Sequence, residues 1–167
     1  YLGIGGFRRE AEVLTKYRHR NIVELLGSCL SDNQTVKQCL VFEFMVGGSL
    51  KGRLATGVAL TAQQRFDIAS DVARGIRFLH VSATPPIIHQ DVKSDNVLLD
   101  MIDGQLVAKL ADFGTARYAD ELLLTGVSKI RTLNVIVSRG YAPMEYLQSG
   151  IVSEKTDTYA FGVVLCE

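Results

Sequence analysis

Residues 87–99 read Ile-Ile-His-Gln-Asp-Val-Lys-Ser-Asp-Asn-Val-Leu-Leu, and Ala111-Asp112-Phe113-Gly114 follows them. No other feature constrains the fold as tightly. A strand-like apolar pair leads into a polar centre, and a second apolar run, Val97-Leu98-Leu99, leaves it. Asp103-Gly104 then separates that run from residues 106–110, a dipeptide suited to the positive φ angles of a tight hairpin. The polar centre and Asp112 therefore sit at strand ends. Asp91 is a carboxylate able to take a proton from a hydroxyl, and Lys93 can neutralise a phosphate. Asn96 and Asp112 are hard oxygen donors of the kind Mg²⁺ prefers. Each residue alone is a weak signal, because turns also use Asp and Asn to satisfy backbone groups. Their order and spacing make one reaction centre the better reading.

The rest of the composition narrows the possibilities. A chain of 167 residues, 47% hydrophobic and 22% charged, suffices for one domain with a real core. Eighteen basic residues balance 18 acidic ones, which leaves no electrostatic footprint for nucleic acid and no membrane contact from this segment. The longest apolar run, residues 160–166, is too short to span a bilayer, and Tyr1-Leu2-Gly3 opens neither a signal sequence nor an initiator Met. Cys29, Cys39 and Cys166 lack Cys-x-x-Cys spacing, so a zinc site or disulfide framework is not indicated and a reduced, cytoplasmic setting fits. Asn33-Gln34-Thr35 reads as part of a turn. His19 and His80 read as helix-end or packing residues.

Apolar periodicity predicts a helix over residues 7–17, with Gly3-Ile4-Gly5-Gly6 as a connector ahead of it. Residues 19–27 run from a loop into a strand, and 38–44 form a second strand. Residues 45–49 are a short flexible connection. A helix over 61–80 follows, capped by Thr61, with Phe66, Ala69, Val72, Ala73, Ile76 and Leu79 on its core face.

Taken together these motifs resemble the catalytic core of a eukaryotic protein kinase. The similarity runs over residues 7–167. It implies an α+β, protein-kinase-like bilobal fold with a partial small lobe (the family's αC helix and two strands) and the first part of a mainly helical large lobe. The expected boundaries are 7–44 for the small-lobe remnant, 45–49 for the hinge and 50–167 for the large-lobe part. By the same resemblance Asp91 is the catalytic base, Lys93 the charge stabiliser, and Asn96 and Asp112 the Mg²⁺ ligands. Glu10 is the partner of an ATP-positioning lysine, and Asp157 braces the catalytic loop. Phe42 occupies the gatekeeper position, and the backbones of Glu43 and Met45 meet adenine. The implied partners are ATP and a protein substrate. Lys93 after Asp91 points to Ser/Thr hydroxyls. Residues 19–23, 47–50, 71–76 and 154–162 look most like receptor-like and Pelle-type kinases, whose members imply an intracellular part of a membrane receptor.

Three departures from the family pattern bear on function. Gln90 replaces an arginine that commonly clamps an activation-loop phosphate, and a neutral amide cannot form that bidentate pair. Activity is therefore expected to depend little on phosphorylation at Thr125, Ser128, Thr132 or Ser138, unless Lys129 or Arg131 substitutes. Ala142-Pro143-Met144-Glu145 replaces the family's Ala-Pro-Glu run. No Gly-rich loop or strand lysine precedes residue 7, so the chain alone is expected to be an incomplete, inactive catalytic core. The alternatives are a pseudokinase or scaffold that signals through contacts, and a non-functional gene fragment.

Overall fold

The structure, a computed structural model, describes residues 4–29, 38–119, 130–131, 138 and 140–167. Helix α1 (Ile4–Lys16) buries Ala11, Val13 and Leu14. It starts ahead of residue 7, so residues 4–6 of the expected connector are helical. Glycine there costs about 1 kcal/mol relative to alanine, an amount that burial of the apolar face overrides.

Strand β1 (Leu25–Cys29) pairs antiparallel with β2 (Cys39–Phe42). Strand β1 starts late in the 19–27 run and extends two residues past it, and β2 is shorter than the expected 38–44. Ile22 and Val23 are used differently: Ile22 bridges Leu110, and Val23 N donates to Leu110 O at 2.9 Å. The run thus stitches a loop to the large hairpin before becoming a strand.

The connection after β2 is pinned where the sequence suggested flexibility. Gly47 N donates to Leu99 O at 2.9 Å and Leu99 N to Gly48 O at 2.8 Å. A Cβ on Gly47 would stand 2.7 Å from Leu99 O, so only glycine lets the two backbones approach this closely. Ser49 then caps α2 (Leu50–Ala55) by accepting from Gly52 N.

Helix α3 (Ala62–Arg77) starts in a capping box: Gln64 N donates to Thr61 Oγ1 and Thr61 N to Gln64 Oε1. Its core face differs from the expected one. Phe66 is 66% exposed and Ala73 is exposed, whereas Ile68, Asp71, Val72, Gly75 and Ile76 are buried. Apolar periodicity misplaces the stripe because two of its residues are not apolar. Asp71 is buried since it accepts from Ala108 N at 3.0 Å and pairs with Arg74 at 2.9 Å. Gly75 lies within 2.9 Å of Asn21 O if given a Cβ. Beyond Arg77 the helix expected to reach residue 80 widens into a π turn (Phe78–Ser82).

Strands β3 (Ile87–Ile88) and β6 (Arg117–Tyr118) pair antiparallel, as do β4 (Val97–Ile102) and β5 (Gln105–Leu110). The β4–β5 turn carries φ 51° at Asp103 and 76° at Gly104, the geometry expected for that dipeptide. A 3₁₀ turn (Ser94–Asn96) precedes β4. Strand β7 (Ile130–Arg131) pairs with β8 (Ile151–Val152), on either side of α4 (Met144–Ser149), and α5 (Glu154–Cys166) follows. One core joins α1, α3, α5 and the β4–β5 hairpin through Leu14, Val72, Val97, Leu110, Phe113 and Val164.

Candidate active site

Asp157 of α5, 1% exposed, organises the loop after β3. Its carboxylate accepts from His89 N and Gln90 N, each at 2.8 Å, and lies 2.8 Å from His80 Nε2. The sequence placed Asp157 in this bracing role by resemblance, but read His80 as a helix-end or packing residue. The π turn carries His80 to the carboxylate, and apolar periodicity gives no signal of that. Gln90 has φ 69°, a left-handed conformation that costs a non-glycine residue about 1–2 kcal/mol. The paired backbone hydrogen bonds to Asp157 hold it there. His89 adds a contact between its Nε2 and Ala111 O at 3.1 Å, and its ring packs against Phe113 with centroids 4.6 Å apart. The loop is thereby tied to the Asp112-Phe113-Gly114 turn.

Three donors converge on Asp91. Its Oδ1 accepts from Ser138 Oγ at 2.8 Å, and its Oδ2 from Lys93 Nζ at 2.5 Å and Asn96 Nδ2 at 2.9 Å. Lys93 Nζ also reaches Ser138 Oγ at 3.0 Å. A carboxylate offers about four lone-pair sites, so one remains for an incoming hydroxyl. Ser138, one of the serines and threonines weighed as phosphorylation sites, is thus engaged with the two central residues. Thr125, Ser128, Lys129 and Thr132 lie outside the described residues.

Asn96 spends its amide nitrogen on Asp91, donating to both Oδ2 and the backbone carbonyl at 2.9 Å, which leaves its side-chain oxygen available. Asp112 has φ 63° and its carboxylate accepts no hydrogen bond from the described residues. Val97 opposes Leu110, and Ala111 N donates to Asn96 O at 2.9 Å, so the two residues flank the same end of the β4–β5 hairpin. An amide oxygen and a carboxylate are a hard donor pair. Mg²⁺ bound with substrate phosphates uses such a pair, because phosphate and water oxygens fill its other positions. Among the described residues no group of three or more His, Cys, Asp or Glu forms a separate metal cage.

Glu10 reaches this centre from α1, its Oε1 accepting from Phe113 N at 3.3 Å. Burial, with the Asp112 charge adding to it, pushes the Glu10 carboxyl up to about 7, and the Phe113 hydrogen bond opposes the shift. A raised carboxyl pKa means that the folded chain holds the proton at pH values where the unfolded chain has lost it. Stability from this group is therefore present at acid pH and falls as pH rises from 4.5 towards 7. Glu10→Gln should flatten that decline. Urea unfolding of both chains at pH 5 and pH 7 checks it, and equal slopes in the two would count against the assignment.

Tyr118 Oη donates to Glu12 at 3.0 Å, tying α1 to β6, and burial raises the phenol further above its ordinary range.

Phe42 is half-buried at the end of β2, Met45 is 6% exposed, and Glu43 lies between them. The sequence assigned Glu43 only a backbone role. Its side chain makes the more visible contact: Lys109 Nζ lies 2.7 Å from both carboxylate oxygens, and Glu24 N donates to Oε1 at 2.7 Å. Lys109, 9% exposed, is a residue that sequence reasoning missed, and nothing in its strand pattern announces it.

The site thus holds a buried carboxylate bracing the loop, a second carboxylate contacted by lysine and asparagine, and an aspartate flanking the same hairpin end as that asparagine. The family described as protein tyrosine and serine/threonine kinase matches residues 4–167, and the chain belongs to it. Its fold is accordingly the kinase type, with mixed helices and small antiparallel sheets. Among its relatives, the receptor-like protein kinase HERK 1 of Arabidopsis thaliana is 41% identical over 167 residues, covering 99% of this chain and 19% of that protein. THESEUS 1, a receptor-like protein kinase of the same plant, is 42% identical over 99% of this chain and 18% of its own length. Wall-associated receptor kinase 1, also of Arabidopsis thaliana, is 42% identical over 96% of this chain and 21% of its own length. The chain spans about one fifth of these relatives. Among the described residues no helix is long and apolar enough to cross a membrane.

Proposed function

We propose that this chain is part of the catalytic core of a parent receptor-like kinase that transfers the ATP γ-phosphate to Ser or Thr hydroxyls of proteins, on its cytoplasmic side. The observation that carries the reading is the Asp91 carboxylate held by Lys93, Asn96 and Ser138 with one lone pair left for a substrate hydroxyl. Asp91 takes the hydroxyl proton as the oxygen attacks the γ-phosphorus, and the bond from that phosphorus to the β–γ bridging oxygen breaks, so ADP leaves. Lys93, already at the carboxylate, offsets the charge that spreads over the phosphoryl oxygens. The side-chain oxygen of Asn96 and the Asp112 carboxylate would hold Mg²⁺, which when bound would neutralise charge on the ATP phosphates. Phe42 closes the back of the adenine site, the backbones of Glu43 and Met45 meet the adenine edge, and Glu10 would pair with a phosphate-positioning lysine that this sequence does not itself contain. Residues 7–44, 45–49 and 50–167 act as small-lobe, hinge and large-lobe segments. Lys93 and the similarity to receptor-like kinases favour Ser/Thr over Tyr.

A pseudokinase reading draws on Gln90, whose buried amide nitrogen has no hydrogen-bond partner among the described residues. The intact Asp91, Lys93, Asn96 and Asp112 favour catalysis. Asp112→Asn in the intact protein decides between them. It should abolish the Mg²⁺-dependent part of ATP binding, read by calorimetry with and without the metal, and with it phosphorylation of a Ser/Thr peptide mixture. Nucleotide binding indifferent to Mg²⁺ in the unaltered protein, with no phosphopeptide formed, would overturn the catalytic reading.

A further inference from the structure

Cys29 and Cys39 lie at matching positions on neighbouring strands, and this pairing was invisible in their sequence spacing. Cys29 ends β1, Cys39 begins β2, and the two are direct antiparallel partners on the last rung of the ladder. Both are exposed and both are free thiols. We propose that Cys29 and Cys39 are a thiol pair that closes to a cross-strand disulfide under peroxide, a modification site on the hairpin that feeds the hinge.

Directly opposed residues of an antiparallel pair project from the same face with Cβ atoms about 4.5–5.5 Å apart. A disulfide needs about 3.5–4.5 Å. The required approach is small, and it falls on the terminal rung, where only one neighbouring rung resists a shift in strand spacing. That rung, Ser28 opposite Leu40, remains paired in either state. The cross-link joins positions already held together by the ladder, so closure demands no refolding.

The chemistry balances with a peroxide as oxidant. One thiolate attacks a peroxide oxygen, the O–O bond breaks, and a sulfenic acid forms with loss of hydroxide, which leaves as water after protonation. The second thiol then attacks the sulfenic sulfur, the S–S bond forms and a second water leaves. Two thiols are oxidised by two electrons in all, and one peroxide is reduced to two waters. A dithiol reductant reverses the step by exchange through a mixed disulfide.

The bond would stand at the opposite end of β2 from Phe42, which lies shortly before the hinge segment. It would close a loop of about ten residues, whose lost unfolded-state freedom stabilises the folded chain. Cys166, exposed at the end of α5 and far along the sequence, is an internal control.

The test uses the unaltered chain, reduced and then exposed to hydrogen peroxide at mildly alkaline pH. Intact mass should fall by two hydrogens, and a non-reducing peptide map should show one linked pair, Cys29 with Cys39. The melting temperature should rise by roughly 5–10 °C over the reduced sample and return on adding dithiothreitol. Cys29→Ser or Cys39→Ser should remove the mass change, and Cys166→Ser should leave it. Linkage through Cys166, intermolecular dimers as the main product, or sulfinic acid at both positions without a cross-link would each overturn the proposal. The map of the unaltered chain decides even if a serine variant fails to fold.

Discussion

Asp157→Ala is expected to lower the unfolding free energy by about 3–5 kcal/mol, the range for removing one partner from a buried charged network. The carboxylate is 1% exposed and accepts two backbone N–H groups besides facing His80. Alanine would leave the His89 and Gln90 amides buried without acceptors, each at a cost of about 1–3 kcal/mol. It would also release Gln90 from its φ of 69°, because among the described residues the Asp157 carboxylate is what its backbone N–H donates to. Asp157→Asn keeps one carbonyl oxygen and should lose roughly half as much. Urea titration followed by tryptophan-free probes such as far-UV dichroism is the measurement, since the chain has no Trp. The alanine variant should melt roughly 10 °C lower. If it melted with the unaltered chain, the loop would have to be held by other contacts, and the bracing role would be wrong.

Locally encoded features were legible in the sequence. The Asp103-Gly104 turn, the Thr61 cap and the order of the catalytic motifs rest on residues a few positions apart, so the chain carries them whatever else it packs against. The bracing aspartate was legible only through resemblance. What could not be read depends on partners brought from afar. Lys109 meets Glu43 across 66 positions, and as the one charged residue of its strand it looks like an ordinary solvent-facing lysine. Asp71 and Gly75 join the buried face of α3 for hydrogen bonding and close approach, which apolar periodicity does not count. His80 changed role because the backbone widened to a π turn. The site followed the same division: Asp91, Lys93 and Asn96 came together as the motif spacing implied, while Ser138 entered from a distant segment.

Asp91→Asn in the intact protein should reduce the phosphoryl-transfer rate by about a hundredfold to ten-thousandfold, the contribution usual for a positioned proton acceptor. The reason is legible in the contacts. Lys93, Asn96 and Ser138 all donate to this side chain, and a carboxylate can receive all three and still take a hydroxyl. An asparagine offers one oxygen and places an NH₂ against at least one of those donors, so it both removes the base and turns an attractive contact repulsive. Affinity for Mg-ATP should be little changed, because Asn96 keeps its side-chain oxygen and Asp112 is untouched. Loss of rate and ATP affinity in parallel would instead mean that Asp91 organises the site without touching the reacting proton. Ser138→Ala separates the two roles further. If Ser138 acts through Asp91, removing its hydroxyl should slow transfer in the unaltered protein but have little further effect once Asp91 is asparagine, a non-additivity that a double-mutant cycle reads directly. Additive losses would place Ser138 in a separate role, with its contact to Asp91 incidental to the chemistry.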